Sequence, residues 1–139
     1  MSVIFTIVIL LGVLSIARTF PPEPVYCTES GGNFAAIFIF DPSAPEKVSI
    51  LYFLLVDLDL IVNGTGVIPW TVDGEHRNLY LDIKDKNFTN FAEELHFKPA
   101  EWRVIPYDRT RDSFTLTVNG THVNASPSGC NRTLRGLLD

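Results

Sequence analysis

Residues 113–126 read SFTLTVNGTHVNAS and carry the strongest structural signal in this chain. Asn-Gly at 119–120 favours a two-residue type I′ turn, which joins two antiparallel strands. In the register that this turn sets, the apolar positions of both strands share one face: Phe114, Leu116, Val118, Val123 and Ala125. The other face carries the polar positions: Thr115, Thr117, His122 and Asn124. The segment therefore predicts a β-hairpin with one buried and one hydrated side.

Further strands are predicted upstream of this hairpin. Residues 34–40 form a short apolar run that ends at Asp41-Pro42, and residues 78–83 alternate apolar and polar side chains. Residues 90–95 predict only a single helical turn. Six to eight short strands with little helix indicate an all-β chain, and we expect an antiparallel β-sandwich.

Residues 48–62 form the most apolar segment beyond the N-terminal region. Residues 56–62 alternate apolar side chains with Asp57 and Asp59, which predicts a half-buried strand. Residues 48–56 leave strand and helix both open, since a capping box precedes them while their β-branched and aromatic side chains favour a strand. Asn63-Gly64 predicts a turn, after which residues 65–70 return beside the strand.

The N-terminus has the composition of a secretory signal. Residues 1–17 contain no charged side chain and are too short for a membrane span, and Ser15 and Ala17 fit a cleavage site. We predict a helical signal peptide over 1–17, an extended lead-in over 18–33 and a single β-sandwich domain over 34–139. An uncleaved membrane anchor stays open as an alternative because no Lys or Arg precedes the apolar core.

Two further features point to an extracellular protein. Five of the eight asparagines lie in Asn-X-Ser/Thr sequons, namely Asn63, Asn87, Asn119, Asn124 and Asn131. Cys27 and Cys130 form an even pair, which predicts a disulfide that joins the two ends of the domain. Free thiols or an intermolecular bridge remain the alternatives. We therefore predict a secreted, N-glycosylated protein with no stable membrane anchor after signal cleavage.

Composition excludes several classes of function. The 139 residues suffice for one ordinary domain, and the net charge of -5 disfavours nucleic acids and anionic membranes as partners. A hydrophobic share of 46% excludes intrinsic disorder.

The sequence shows no catalytic or cofactor motif. The three histidines, His76, His96 and His122, accompany no nucleophile motif, so we expect no enzymatic activity and no cofactor. No Cys or His spacing indicates a metal site. The binding candidates are aromatic residues of the types that stack on sugars or anchor protein interfaces, although residues of these types belong more often to a core: Trp70, Tyr80, Trp102 and Tyr107.

Residues 102–104, WRV, followed by 114–120, FTLTVNG, resemble the late strands of galectin and laminin-G-like domains. The similarity spans residues 97–123 and implies a jelly-roll-like, concanavalin-type sandwich. Galectins bind galactosides through a His-Asn-Pro-Arg segment and a later Trp. Here residues 76–78 read His-Arg-Asn and Trp70 precedes them, so the sugar-binding residues are not carried over.

These observations predict extracellular recognition of a protein or a carbohydrate, without enzymatic activity. A carrier of a small apolar ligand between the sheets is the first alternative, and a secreted hydrolase is the second. A recognition module predicts an exposed apolar or aromatic patch that lacks sequons. A carrier predicts an apolar cavity, and a hydrolase predicts a His and an acid together in a pocket.

Overall fold

The structure is a computed structural model that describes residues 20–28, 34–44, 46–118 and 120–131. The strands run in the order β1 (Val25–Thr28), β2 (Phe34–Phe40), β3 (Lys47–Val56), β4 (Asp59–Val72), β5 (Asn78–Leu81), β6 (Val104–Asp108), β7 (Ser113–Val118) and β8 (Thr121–Ser126). Helix α1 (Lys86–Leu95) and a 3₁₀ turn (Pro99–Trp102) lie between β5 and β6. The predicted signal peptide, residues 1–17, lies outside the described residues.

The eight strands form a closed antiparallel barrel, so the predicted β-sandwich is wrong. Each strand pairs with the next, and β8 pairs with β1 through Cys27↔Ser126 and Thr28↔Ala125. Strand β4 spans 14 residues and pairs with both β3 and β5, which makes the ladder continuous. The jelly-roll layout is also wrong because every strand lies beside its sequence neighbours. Antiparallel hairpins occur in both sandwiches and barrels. The pairing of β1 with β8, which closes the sheet, is what identifies this fold as a barrel.

The hairpin at 113–126 is confirmed in its register. Phe114 pairs with Ala125, Leu116 with Val123, and the last residue of β7 with the first of β8. Phe114, Leu116 and Ala125 are buried, as the shared apolar face predicts. Asn119 lies outside the described residues, and Gly120 has a φ of 82°. Local periodicity and turn chemistry therefore suffice to predict this element.

The segment 48–62 is all strand and turn, and the predicted position of its turn is wrong. Residues 47–56 form β3, so the helical alternative is excluded. The chain reverses at Asp57 and Leu58, whose φ values of 49° and 71° lie in the left-handed region. Asn63 and Gly64 instead lie inside β4, where they pair with Tyr52 and Leu51. Cross-strand pairing of two apolar segments outweighs the local preference of Asn-Gly for a turn.

Helix α1 is longer than the single turn predicted over 90–95. The Asp85 carboxylate caps it by accepting hydrogen bonds from the backbone N–H groups of Asn87 and Phe88. The helix ends at His96, which has a φ of 56°. Its buried side carries Phe88, Phe91 and Ala92, which join the barrel core. The sequence signal for this helix is weak because the helix buries few apolar residues. Its capping residue, Asp85, also lies five positions before the predicted turn.

Aromatic rings occupy the interior of the barrel. Trp102 is fully buried, and its ring centroid lies 5.0 Å from that of Phe97, 5.3 Å from that of Phe91 and 5.9 Å from that of Phe38. Its indole Nε1–H donates a 2.8 Å hydrogen bond to the carbonyl oxygen of Thr117. An eight-stranded barrel is just wide enough to be filled by side chains, and this core fills it with rings.

The two ends of the domain meet at a disulfide. Cys27 on β1 is bonded to Cys130, with their Cα atoms 4.7 Å apart, which confirms the predicted pair. A Cβ at Gly129 would lie 2.5 Å from the Cys27 carbonyl oxygen, so only glycine permits this close approach. Strand β1 falls inside the segment 18–33 that the sequence indicates as an extended lead-in, and it contributes a full strand to the barrel.

Candidate functional site

The four aromatic binding candidates do not form one surface. Trp70 and Trp102 belong to the core, with 6% and 0% of their surfaces exposed. Tyr80 and Tyr107 are half-buried. Tyr80 lies on the outward side of β5, whereas the hydroxyl of Tyr107 donates a hydrogen bond to Asp112. Most of these rings therefore stabilise the fold and are not placed to contact a partner.

The outward side of β2, β3 and β4 carries an apolar surface instead, which we call the β2–β4 face. Cross-strand pairing aligns Ile39, Ser49 and Val67 in one row and Ala35, Phe53 and Val62 in another. Leu55 pairs with Leu60 nearer the turn. The large side chains of this face with at least two fifths of their surface exposed are Ile39, Leu55, Leu60, Val62 and Val67. A soluble domain seldom leaves contiguous aliphatic surface of this kind in water unless it binds something.

The β3–β4 hairpin extends the same surface beyond the barrel. Leu58 at its turn is 93% exposed. Val56 and Ile61 are also exposed, at 44% and 39%, so the end of the hairpin is apolar on both sides. Its charged residues are Asp57, which is in the turn, and Asp59, which follows the turn directly. The sequence does not reveal this surface, because the alternation over 56–62 is also typical of a strand that is buried on one side.

The described sequon asparagines do not project from the β2–β4 face, although Asn87 lies beside it at Val67. Asn63 is on β4, but it pairs with Tyr52, whose side chain is buried, so both point to the opposite side of the sheet. Asn87 lies at the start of α1 and donates a hydrogen bond from Nδ2 to the Val67 carbonyl oxygen. Asn124 is on β8 and Asn131 follows Cys130, and all four are exposed. Asn119 lies outside the described residues.

A cleft of about 580 Å³ lies at the end of the barrel where residues 20–24 enter, and we call it the lead-in cleft. Its buried floor consists of Pro21, Phe40 and Trp70. Phe20 is half-buried in its wall, with its ring centroid 4.9 Å from that of His76 and 6.2 Å from that of Trp70. The exposed rim carries four charged residues: Glu23, Asp41, Glu46 and Lys47.

A cluster of polar groups lies near the same end of the barrel. The hydroxyls of Tyr26 and Tyr107 each donate a 2.6 Å hydrogen bond to Oδ1 of Asp112. Burial raises the pKa of both phenols, and the hydrogen bond to the Asp112 carboxylate raises each pKa further. Tyr26 is fully buried, and its ring centroid lies 4.8 Å from that of Phe114. The cluster therefore anchors the loop that contains Asp112 to the core.

The opposite end of the barrel has a comparable pair. The Tyr52 hydroxyl donates a short hydrogen bond to Oε2 of Glu94, which connects β3 to α1. Burial of the ring raises the pKa of Tyr52, and the hydrogen bond to the carboxylate raises it further. Asn63 Nδ2 lies 3.4 Å from the same carboxylate oxygen.

The raised pKa values of these tyrosines predict that the protein loses stability at alkaline pH. The folded state keeps the buried phenols of Tyr26 and Tyr52 protonated above pH 10.0, where the unfolded chain ionises them. Their contribution is therefore complete below about pH 10 and decreases above it, by at most about 1.4 kcal/mol for each tyrosine at pH 11. Urea unfolding between pH 8 and about pH 11 measures this loss.

The matched variants for that measurement are Tyr52→Phe and Tyr80→Phe. Tyr52→Phe is expected to reduce the alkaline loss because it removes one titrating phenol. Tyr80→Phe is the control, since among the described residues its hydroxyl is hydrogen-bonded to no carboxylate. A stability that stays constant up to pH 11 in the unchanged protein would contradict the prediction.

The histidines are not arranged as a catalytic base. His76 lies near Glu75 and Asp108 in an open cleft of about 650 Å³. Within the described residues, however, its ring nitrogens are not hydrogen-bonded to a carboxylate or a nucleophile. His122 on the outward side of β8 contacts the Thr117 hydroxyl at 3.3 Å. Among the described residues, no carboxylate is hydrogen-bonded to the ring of His76 or His122, so neither ring is oriented by an acid in the way that acyl transfer uses.

Neither a metal centre nor a membrane-spanning helix is found in the described part of the chain. No group of three or more His, Cys, Asp or Glu side chains is placed there to hold a metal ion. The helices that the structure describes are too short or too polar to cross a membrane.

Comparisons of the chain with models of protein families, with curated proteins and with solved structures find no match.

Proposed function

We propose that this chain is a secreted, N-glycosylated recognition domain that binds another extracellular protein through the β2–β4 face and the end of the β3–β4 hairpin. The observation that carries the proposal is the exposure of aliphatic side chains along this face, which culminates in Leu58 at 93%. Burying a side chain as exposed as Leu58 against a partner contributes about 1.5–3 kcal/mol, and burying the half-exposed ones contributes roughly half of that each. The domain is proposed to act without enzymatic activity and without a cofactor.

The chemistry of the face favours a protein over a carbohydrate or a membrane. Sugars stack on exposed aromatic rings, whereas Trp70 and Trp102 are buried and the face is mainly aliphatic. Asp57 and Asp59 at the hairpin turn would be repelled by an anionic membrane. None of the described sequon asparagines has its side chain on the face, although Asn87 Nδ2 lies beside it at the Val67 carbonyl oxygen. The Cys27–Cys130 disulfide is compatible with an extracellular setting.

The carrier and hydrolase alternatives have less support. A carrier needs an internal cavity, and rings such as those of Phe38, Phe91 and Trp102 occupy the barrel interior. A hydrolase needs a histidine oriented by an acid beside a nucleophile, and the His76 cleft presents neither contact among the described residues. Recognition through an exposed face is therefore the function that the geometry supports best.

Photo-crosslinking from the hairpin tests the proposal. A benzophenone amino acid at position 58 is expected to crosslink one defined protein in extracellular fluid of the native producer. That protein, once purified, is expected to bind the unmodified chain directly. The triple variant Leu58→Ser, Leu60→Ser and Val62→Ser is expected to bind it at least 100-fold more weakly, equivalent to about 2.7 kcal/mol. Surface plasmon resonance measures the difference.

The control variant is Thr117→Ser on the outward side of β7, which is expected to bind normally. Circular dichroism is expected to show that the triple variant stays folded, since its three side chains are exposed. Unchanged partner binding by the triple variant would overturn the proposal. Concentration-dependent dimerisation that the triple variant abolishes, or binding to phosphatidylcholine vesicles, would replace the proposed partner by a second copy or by lipid.

A further inference from the structure

Strand β4 has an open edge along its first half. One edge of the strand pairs with β3 from Asp59 to Pro69. On the other edge, β5 pairs only with Trp70–Val72, and Asn87 of α1 donates a hydrogen bond to the Val67 carbonyl oxygen. Among the described residues, no neighbouring strand pairs with residues 59–64 on that side, and all six of these residues are exposed. We call this side of residues 59–64 the β4 edge.

The turn of the β3–β4 hairpin determines which backbone groups face the β4 edge. Residues 57 and 58 both have a positive φ, as the two central residues of a type I′ turn require. Val56 and Asp59 therefore form the hydrogen-bonded pair that closes the turn. Hydrogen-bonded and non-hydrogen-bonded pairs alternate along an antiparallel ladder. The backbone N–H and C=O groups of Leu60 and Val62 consequently point away from β3 and into the β4 edge.

The described part of the chain leaves these backbone groups without a partner. No backbone or side-chain group described there is hydrogen-bonded to Leu60 or Val62 from the β4 edge. The next N–H along this edge, that of Gly64, donates to Oδ1 of the adjacent Asn63 at 2.8 Å and not to another strand. Soluble proteins usually protect an edge with lysine, proline or a covering segment, and residues 59–64 contain neither lysine nor proline. Such an edge is a template for another strand.

The chemistry of the β4 edge matches an extended polypeptide. Its backbone groups repeat at every second residue, about 6.7 Å apart, which is the spacing of the groups that a neighbouring strand presents. The half-exposed side chains of Leu60 and Val62 lie beside these groups and can pack against alternate side chains of an added strand. Asp57 and Asp59 are the only charged residues between positions 55 and 67, so the turn end of this edge favours a basic side chain in the partner.

We propose that the protein partner adds an extended segment as a strand to the β4 edge, with a basic side chain placed against Asp59. Alternate apolar side chains of that segment continue the β2–β4 face. This inference rests on the proposed function, because it specifies how the partner engages the same hairpin. The side chain of Asn63 leaves the edge accessible, since its Nδ2 reaches to 3.4 Å from Oε2 of Glu94 on the side of the sheet opposite the β2–β4 face.

Amide hydrogen exchange resolved by NMR tests the backbone pairing. In the free protein, the N–H groups of Leu60 and Val62 are expected to exchange at least tenfold faster than those of Ile61 and Asn63, which face β3. The probe is the purified protein that is crosslinked from position 58. Its addition is expected to slow exchange at Leu60 and Val62 at least tenfold, because the added strand accepts their hydrogen bonds.

Two results of this measurement would overturn the inference. One is a partner that binds without slowing exchange at Leu60 and Val62, which would mean that it docks on side chains alone. The other is slow exchange at both positions in the free protein, which would mean that the chain itself already covers the β4 edge.

Two substitutions at position 62 separate the backbone from the side chain. Val62→Pro removes the N–H of the β4 edge but spares the ladder with β3, since an edge strand tolerates proline where the N–H faces solvent. Val62→Ala is the matched control, because it shortens the side chain and keeps the N–H. Val62→Pro is expected to bind the partner at least tenfold more weakly than Val62→Ala. Equal affinities would overturn the inference, and the exchange measurement on the unchanged protein decides it if Val62→Pro fails to fold.

Asp59→Asn tests the basic side chain of the partner. The variant is expected to bind about two- to fivefold more weakly at low ionic strength, because it removes one exposed ion pair. Its affinity is also expected to depend less on salt than that of the unchanged protein. An affinity and a salt dependence equal to those of the unchanged protein would overturn the assignment of a basic side chain at this position.

The serine triple variant of the hairpin distinguishes failure of this inference from failure of the proposed function. If that variant loses the partner while Val62→Pro and Val62→Ala bind equally well, recognition through the face stands and strand addition falls. If the triple variant binds the partner normally, the proposed function falls and strand addition falls with it.

Discussion

Replacing Cys27 and Cys130 together by serine is expected to lower the free energy of unfolding by about 4–5 kcal/mol. The disulfide closes a separation of 103 residues, and the entropy of the unfolded chain rises when a loop of this length opens. The bond also secures Cys130 to β1, which pairs with β8 at two positions among the described residues. Urea unfolding of the oxidised protein and of the variant measures the difference.

The control for this prediction is the unchanged protein after reduction. It is expected to unfold at nearly the same urea concentration as the double serine variant, since both lack the covalent bond. A loss below about 1 kcal/mol in the variant would contradict the prediction, because it would mean that the barrel closes as well without the disulfide as with it.

Trp102→Ala is expected to destabilise the protein by about 4–5 kcal/mol. The side chain is fully buried among the rings of Phe38, Phe91 and Phe97, so its removal leaves a large cavity. It also deprives the Thr117 carbonyl oxygen of its hydrogen bond. Since small domains are stable by only about 5–15 kcal/mol, this variant is expected to be partly unfolded near body temperature.

Two comparison variants define the origin of that loss. Trp102→Phe retains a ring and is expected to cost less than half as much as the alanine variant. Val104→Ala changes an exposed side chain of β6, so we expect it to change the free energy of unfolding by about 0.5 kcal/mol or less. Equal stabilities of Trp102→Ala and Val104→Ala in thermal unfolding would show that the aromatic core does not support the barrel.

The hairpin at 113–126 and the turn predicted at 63–64 show what local sequence can predict. Both contain Asn-Gly, yet only the first is placed at a chain reversal in the structure. At 113–126 the turn and the apolar alternation agree on one register. At 48–62 they disagree, and the pairing of residues 53–55 with the apolar residues 60–62 of β4 moves the reversal to Asp57 and Leu58. Interactions between strands decide such conflicts.

The candidate site shows a similar limit. Aromatic residue type suggested Trp70 and Trp102 as contacts, but the sequence does not show how many rings the interior of a barrel requires. The exposed aliphatic residues of β3 and β4 have the same composition as a buried strand. Val62 and Val67 are exposed because they lie on the outward side of the sheet, whereas Leu58 and Leu60 lie past Phe34↔Leu54, the last described pair between β2 and β3.

The sequence alone determined the β class, the Cys27–Cys130 pair and the register of the last hairpin, because each depends on local periodicity or on counting two cysteines. Only the tertiary structure decided between sandwich and barrel, since the pairing of β1 with β8 joins residues about 100 positions apart. It also decided which apolar residues face water. Burial depends on what packs against a side chain, and no local pattern specifies that neighbour.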